Sequence, residues 1–193
     1  MGKEQQSDFY DSRMDRVLVP YEESPWRPIY DTVVEFLHQW NPAGPILDVG
    51  CGTGRCAEAL RRAGFVNYQG IDFSGVRINE AQDYVPSFTF KQMDVFSADA
   101  EHLFAEHGTF IITEVLEHIT KDRELIRRLP RGSKVIISVP NYDSAGHVRT
   151  FSSARDIDAR YSDLLDFDAD LLKEISRPKR PERLVWVRGA VRR

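Results

Sequence analysis

Three glycines spaced one residue apart, Gly50-x-Gly52-x-Gly54, stand between a short apolar run, Ile46 to Val49, and an amphipathic stretch, Arg55 to Ala63. The apolar run is too short for a helix and suits a buried strand. The stretch behind the glycines reads as a helix, and Gly64 suits the position that stops it. A strand that passes into a helix through glycines commits the chain to βαβ construction. Glycine lets the backbone turn tightly and lets a ligand approach with no Cβ in the way, and the helix start presents free N–H groups.

The alternation continues along the chain. Strands are expected at 68–72, 88–94, 110–113 and 134–139, with helices at 76–84 and 122–129 and a loop or short helix after the third strand. A helix is expected near 154–164, then closing strands near 165–172 and 184–191, with Arg177-Pro178-Lys179-Arg180-Pro181 as their turn. Such alternation implies an α/β fold, a doubly wound sheet of seven mostly parallel strands with helices on both faces. No helix separates the last two strands, so the last is expected to be antiparallel. Residues 1–45 read as an arm and a helix (29–40) leading into a domain at 46–193, all one structural unit. In such sheets ligands bind beyond the carboxyl ends of the strands, where strand order reverses.

The chain has 193 residues, 41% hydrophobic and 29% charged, with no apolar run near the roughly 20 residues that cross a membrane. Its first residues are polar, so no secretory signal is expected. Two cysteines, Cys51 and Cys56, fit a reducing cytoplasm, which is the expected location. The net charge of −4 disfavours nucleic acid as a partner. The balance is uneven: Lys173 to Arg193 holds eight Lys/Arg against two Asp/Glu. That reads as a solvated basic hairpin or as a patch for an anionic substrate or RNA.

Asp48 discriminates between ligands for the glycine loop. Gly52, Gly54 and Ala57 fit the G-x-G-x-x-G/A pattern of dinucleotide sites, and Asp72 follows at a suitable distance. A pyrophosphate would be repelled by Asp48, however, and a dinucleotide domain needs a further catalytic domain for which there is little room. A ligand carrying a sulfonium and an ammonium would welcome the acid. The stretch ILDVGCGTG resembles the first motif of the class I S-adenosylmethionine-dependent methyltransferases, in particular their small-molecule and ubiquinone-biosynthesis group. Gly70-Ile71-Asp72-Phe73-Ser74, Gln92-Met93-Asp94-Val95-Phe96, the stretch Thr113 to Ile119, and Pro130-Arg131-Gly132 with KVIISVPN are similar to the later motifs, in order. The resemblance implies that Asp48, Gly50, Cys51, Gly52, Gly54 and Glu114 surround S-adenosylmethionine. It implies that Asp72 and Phe73 flank the ribose, and that Met93, Asp94 and Val95 hold the adenine. It also implies methyl transfer to a small molecule, at oxygen or nitrogen.

Methyl transfer from a sulfonium is an in-line displacement, for which orientation supplies much of the catalysis. Glu114-x-x-Glu117-His118 leaves the fourth strand at the site edge, and if helical its three polar residues share a face. Three readings stand side by side. The stretch organises the cofactor loop; or His118, Glu117 and, from the next loop, His147 provide acid–base catalysis; or these residues hold a divalent metal, as in the similar motif of small-RNA 2′-O-methyltransferases. No metal is assigned on the residues alone. His147 and Arg149 contact substrate or fasten their loop. Tyr21, Trp26 and Tyr30 pack against the core or close over the site, and His38 is expected at the surface. A noncatalytic cofactor-binding protein is the reading from another class. Oligomeric state is not legible.

Overall fold

The computed structural model describes residues 2–12, 18–177 and 180–193. One seven-stranded sheet runs through it. The strands are β1 (Ile46–Val49), β2 (Tyr68–Asp72), β3 (Thr89–Gln92), β4 (Thr109–Thr113), β5 (Lys134–Pro140), β6 (Leu165–Arg177) and β7 (Arg180–Arg192), in the spatial order β3-β2-β1-β4-β5-β7-β6. The first five are parallel, and β7 is antiparallel to both neighbours. The expected fold is therefore the observed one. The closing strands are longer than expected, because each continues with its partner well past the core edge. Residues 178 and 179, within the expected turn, lie outside the described residues.

Helices α2 (Arg27–Trp40), α3 (Arg55–Arg62) and α4 (Gly75–Tyr84) cover one face, and α5 (Ala98–Ala105), α6 (Asp122–Arg128) and α7 (Ala154–Tyr161) the other. A short helix, α1 (Ser7–Asp11), precedes them, and Tyr21–Glu23 forms a 3-10 turn. Alternation along the strands divides the core. Phe110 and Ile112 face α5–α7, and Ile111 faces α2–α4. Ser74 and Ser97 cap α4 and α5 by accepting from the N–H of Arg77 and Ala100. Cys51 and Cys56 are buried free thiols. His38 is exposed, its ring against Phe65. No helix among the described residues is long and apolar enough to cross a membrane.

Strand order reverses between β1 and β4, so their carboxyl ends open a crevice there. Gly50 and Gly54 make the turn at its floor. Both have positive φ, 78° and 79°, and a Cβ on Gly50 would sit 2.4 Å from Val115 Cγ2. Only glycine meets both demands.

Candidate active site

A cavity of about 950 Å³ fills the crevice. Its floor is Asp48, Gly50, Cys51 and Gly52, its far wall is Glu114, His118 and His147, and Trp26, Tyr30 and Tyr142 line its sides. Trp26 and Tyr30 thus face the site, whereas Tyr21 packs away from it, its hydroxyl on Asp31. Asp72, Phe73, Met93, Asp94 and Val95 lie at the ends of β2 and β3, beyond the cavity lining. There α1 reaches the end of β2: Tyr10 sits edge-on to Phe73 at 5.6 Å, and Asp11 accepts from the Ser74 hydroxyl. Asp72 ties the glycine loop down, accepting from the N–H of Gly52 at 3.0 Å and of Ser74 at 2.9 Å. Asp94 is exposed and accepts from the Phe96 N–H, while Met93 is buried in the core.

Asp48 is 1% exposed. The Tyr68 hydroxyl donates to its Oδ2 at 2.8 Å, and its Oδ1 accepts no hydrogen bond. Burial, with the Asp72 charge behind it, pushes its pKa to about 7 against the pull of Tyr68 and of the neighbouring Cys56 thiol. A buried carboxylate oxygen without a donor, on the floor of a cavity, is a place for a cation. Arg55 does not supply it: its guanidinium donates to the carbonyls of Val19 and Thr53 and stacks on Tyr84.

The stretch after β4 is a turn, not a helix. Glu114 has φ 56°, a left-handed geometry that cannot propagate. Its carboxylate nevertheless reaches the site, accepting from Trp26 Nε1 at 3.3 Å and the Ser138 hydroxyl at 3.2 Å. Glu117 turns inward, is wholly buried and has no donor on either oxygen. Burial, then the Glu114 charge, drive its pKa far above the carboxylate range. The Nδ1 of His118 lies 3.0 Å from the Gly146 carbonyl and 3.1 Å from the Tyr10 hydroxyl, and that of His147 lies 2.9 Å from the Tyr142 carbonyl. A carbonyl only accepts, so each Nδ1 carries the hydrogen and each Nε2 keeps a lone pair. His118 Nε2 is 3.9 Å from Glu117 Oε1, and one ligand atom from each of Glu117, His118 and His147 lies within 4.8 Å of the others. Two lone pairs and an orphaned carboxylate suit a proton or a divalent ion. Arg149 fastens the loop instead of facing substrate, donating to the carbonyls of Leu116, Ile119 and Thr120.

Burial, and then the neighbouring His147, lower the pKa of His118 to about 4. The ring is neutral at pH 7, and its protonation step belongs near pH 4. An NMR titration of its Cε1–H, assigned with His118→Gln, is expected to show no step between pH 5.5 and 7.5. A midpoint near 6.5 would show an exposed ring in place of a covered one.

Several site residues escape sequence reasoning. Tyr10 and Phe9 reach the cavity from more than a hundred residues before His118, and nothing local marks them. Arg77 lies on α4 with its guanidinium over the Tyr10 ring. Arg177, Arg180 and Arg183 were legible only as part of a basic hairpin.

The glycine turn at the strand-order reversal, in this sheet, defines a Rossmann-like domain of the class I methyltransferase type. Residues 46–134 match the methyltransferase-domain family model. The chain is 33% identical over 134 residues to indolepyruvate C-methyltransferase of Streptomyces griseus, covering 61% of this chain and 40% of the relative. It is 28% identical over 134 residues to trans-aconitate 2-methyltransferase of Rhizobium meliloti, covering 66% and 50%. The chain thus spans half or less of the curated relatives it matches. In structure it is similar to 1,6-didemethyltoxoflavin-N1-methyltransferase of Burkholderia thailandensis, with a TM-score of 0.71 and 20% identity, covering 96% of this chain and 86% of that one.

Proposed function

We propose that this chain transfers a methyl group from S-adenosylmethionine to a small-molecule acceptor. The orphaned Oδ1 of Asp48 carries the reading. It offers a buried anionic partner to an ammonium or sulfonium on a glycine floor that a phosphate would avoid. When bound, the cofactor supplies an electrophilic methyl carbon. Asp48 would hold its amino-acid end, and Gly50 and Gly52 would admit the backbone close to it. Asp72, Phe73, Met93, Asp94 and Val95 would hold the adenosyl end, which requires α1 to yield at Tyr10 and Asp11. Glu114 and the aromatic walls would orient the acceptor and keep water out. His118, neutral and with a free Nε2, would accept a proton from an acceptor group that ionises easily.

Calorimetric titration with S-adenosylhomocysteine, with NAD as control, tests this. Micromolar affinity for the first and none for the second is the expected result. Asp72→Ala is expected to weaken S-adenosylhomocysteine by about 1–3 kcal/mol, the usual cost of a lost charged hydrogen-bond partner. Binding of NAD alone would reverse the assignment.

The convergence of Glu117, His118 and His147 favours a second reading, in which a divalent ion assists the transfer. Titration with Mn2+ separates the two. Tight binding lost in Glu117→Gln supports the metal, and no binding leaves acid–base or orientational catalysis.

A further inference from the structure

The basic hairpin has a use that the methyl-donor site does not absorb. Its basic residues divide by direction. Lys173, Arg188 and Arg193 point away from the cavity and pair with Glu35, Asp158 and Asp166. Arg177, Arg180 and Arg183 line the cavity, and among the described residues none has a carboxylate within 4 Å, though the Arg177 charge pulls the Glu114 carboxyl downward. Arg177 stacks on the Trp26 ring at 4.9 Å and donates to the Pro25 carbonyl at 3.1 Å. Arg183 stacks on the Tyr142 ring at 4.8 Å. Stacking occupies the face of a guanidinium and leaves N–H groups at its edge for an oxyanion.

The hairpin is held in place against the acceptor end. Asn141, just beyond β5, accepts from the Leu184 N–H at 2.8 Å and donates to the Glu182 carbonyl at 3.1 Å. Trp26, the ring under Arg177, donates from its far edge to Glu114. The arginines therefore stand on the β5 side of the cavity, with β4 between them and the glycine turn that follows β1. Five arginines, Arg55, Arg77, Arg177, Arg180 and Arg183, line the cavity against three carboxylates, Glu23, Asp48 and Glu114, so positive charge is in surplus there. The floor holds the opposite need, an acid seeking a cation.

Resting on the function proposed above, we infer that the acceptor is a small organic acid with a flat unsaturated body. Its carboxylate is bound by Arg177, Arg180 and Arg183, and its body lies between Trp26, Tyr30 and Tyr142. A guanidinium fork matches a carboxylate, and a stacked aromatic wall matches a planar body.

The test is titration of the full chain, with and without saturating S-adenosylhomocysteine, using acid and amide pairs: indole-3-acetate with indole-3-acetamide, and cinnamate with cinnamamide. Phenyl phosphate and a 20-nucleotide RNA complete the panel. At least one acid is expected to bind tenfold or more tightly than its amide. Replacing all three arginines by glutamine should abolish that preference and leave S-adenosylhomocysteine affinity unchanged. Arg193→Gln, on the outer side of the hairpin, should keep the preference. Equal binding of acids and amides, no binding of any acid, or a preference that survives the triple replacement overturns the inference. Tighter binding of phenyl phosphate or of RNA overturns the assignment to a carboxylate. Loss of S-adenosylhomocysteine binding in the native chain would instead remove the methyl-donor reading.

Discussion

Asp48→Asn is expected to melt higher than the native chain at pH 8 and to bind S-adenosylhomocysteine at least tenfold more weakly. The carboxyl is 1% exposed and has one hydroxyl donor, Tyr68, with the Cys56 thiol as its other polar neighbour. Its pKa is raised by burial from 3.8 to about 7. A raised carboxyl pKa means that the folded chain holds the proton more tightly than the unfolded chain. That contribution is complete below pH 4 and is lost as pH rises through about 7. At pH 8 the native fold therefore carries a penalty on the order of 4 kcal/mol at most. Asparagine removes the charge but leaves an amide N–H without an acceptor, which returns roughly 1–3 kcal/mol. A net gain of about 1–3 kcal/mol corresponds to roughly 2–10 °C in a chain of this size. The ligand loses the buried anion on the floor. Melting curves from pH 4 to 8 and calorimetry check both halves. A melting temperature with the same pH slope in both proteins would show that Asp48 is solvated. Unchanged ligand affinity would remove it from the site.

Asp122→Ala should be the most damaging single change outside the cavity. The carboxylate is 1% exposed and gathers four donors. Arg160 donates to both oxygens, at 2.6 and 2.8 Å, Tyr161 at 2.6 Å, and Arg149 stands at 3.2 Å. Burial raises its pKa, but the bonds from Arg160 and Tyr161 outweigh that and hold it below the usual range. Its stabilising contribution is therefore present above about pH 4 and fades as pH falls through the lowered value. Alanine leaves the half-buried Arg149 without its carboxylate, and breaking such a group costs about 3–5 kcal/mol. The damage reaches the site, because Arg149 pins the carbonyls of Leu116, Ile119 and Thr120 around Glu117 and His118. A fall of about 10 °C in melting temperature is expected, with faster amide exchange at 116–120 than elsewhere. A change under 2 °C would show that Arg149 and Arg160 find other partners.

Much of the architecture was legible before any coordinates. The short apolar run at 46–49 followed by glycines at 50, 52 and 54 reads as a buried strand and a turn, because a run buried on both faces and positive φ are local demands. Longer-range features were not legible in that way. The spacing of Glu114, Glu117 and His118 suits a helix face, yet Glu114 adopts φ 56° because its N–H and carboxylate both bind Ser138 on β5. The closing strands outran their apolar pattern because pairing between β6 and β7 carries on where burial stops.

The sequence by itself determined the strand and helix order, the glycine floor, the acid set into it and the surplus of basic residues in the closing hairpin. Each depends on neighbours a few residues away. Only the tertiary structure decided that Tyr10 lies over His118, that Trp26 bonds to Glu114, and that three hairpin arginines face the cavity while Lys173, Arg188 and Arg193 pair with carboxylates away from it. The first two of those contacts join segments 108 and 88 residues apart. They are fixed by how the two faces of the sheet pack, which no local pattern of side chains encodes.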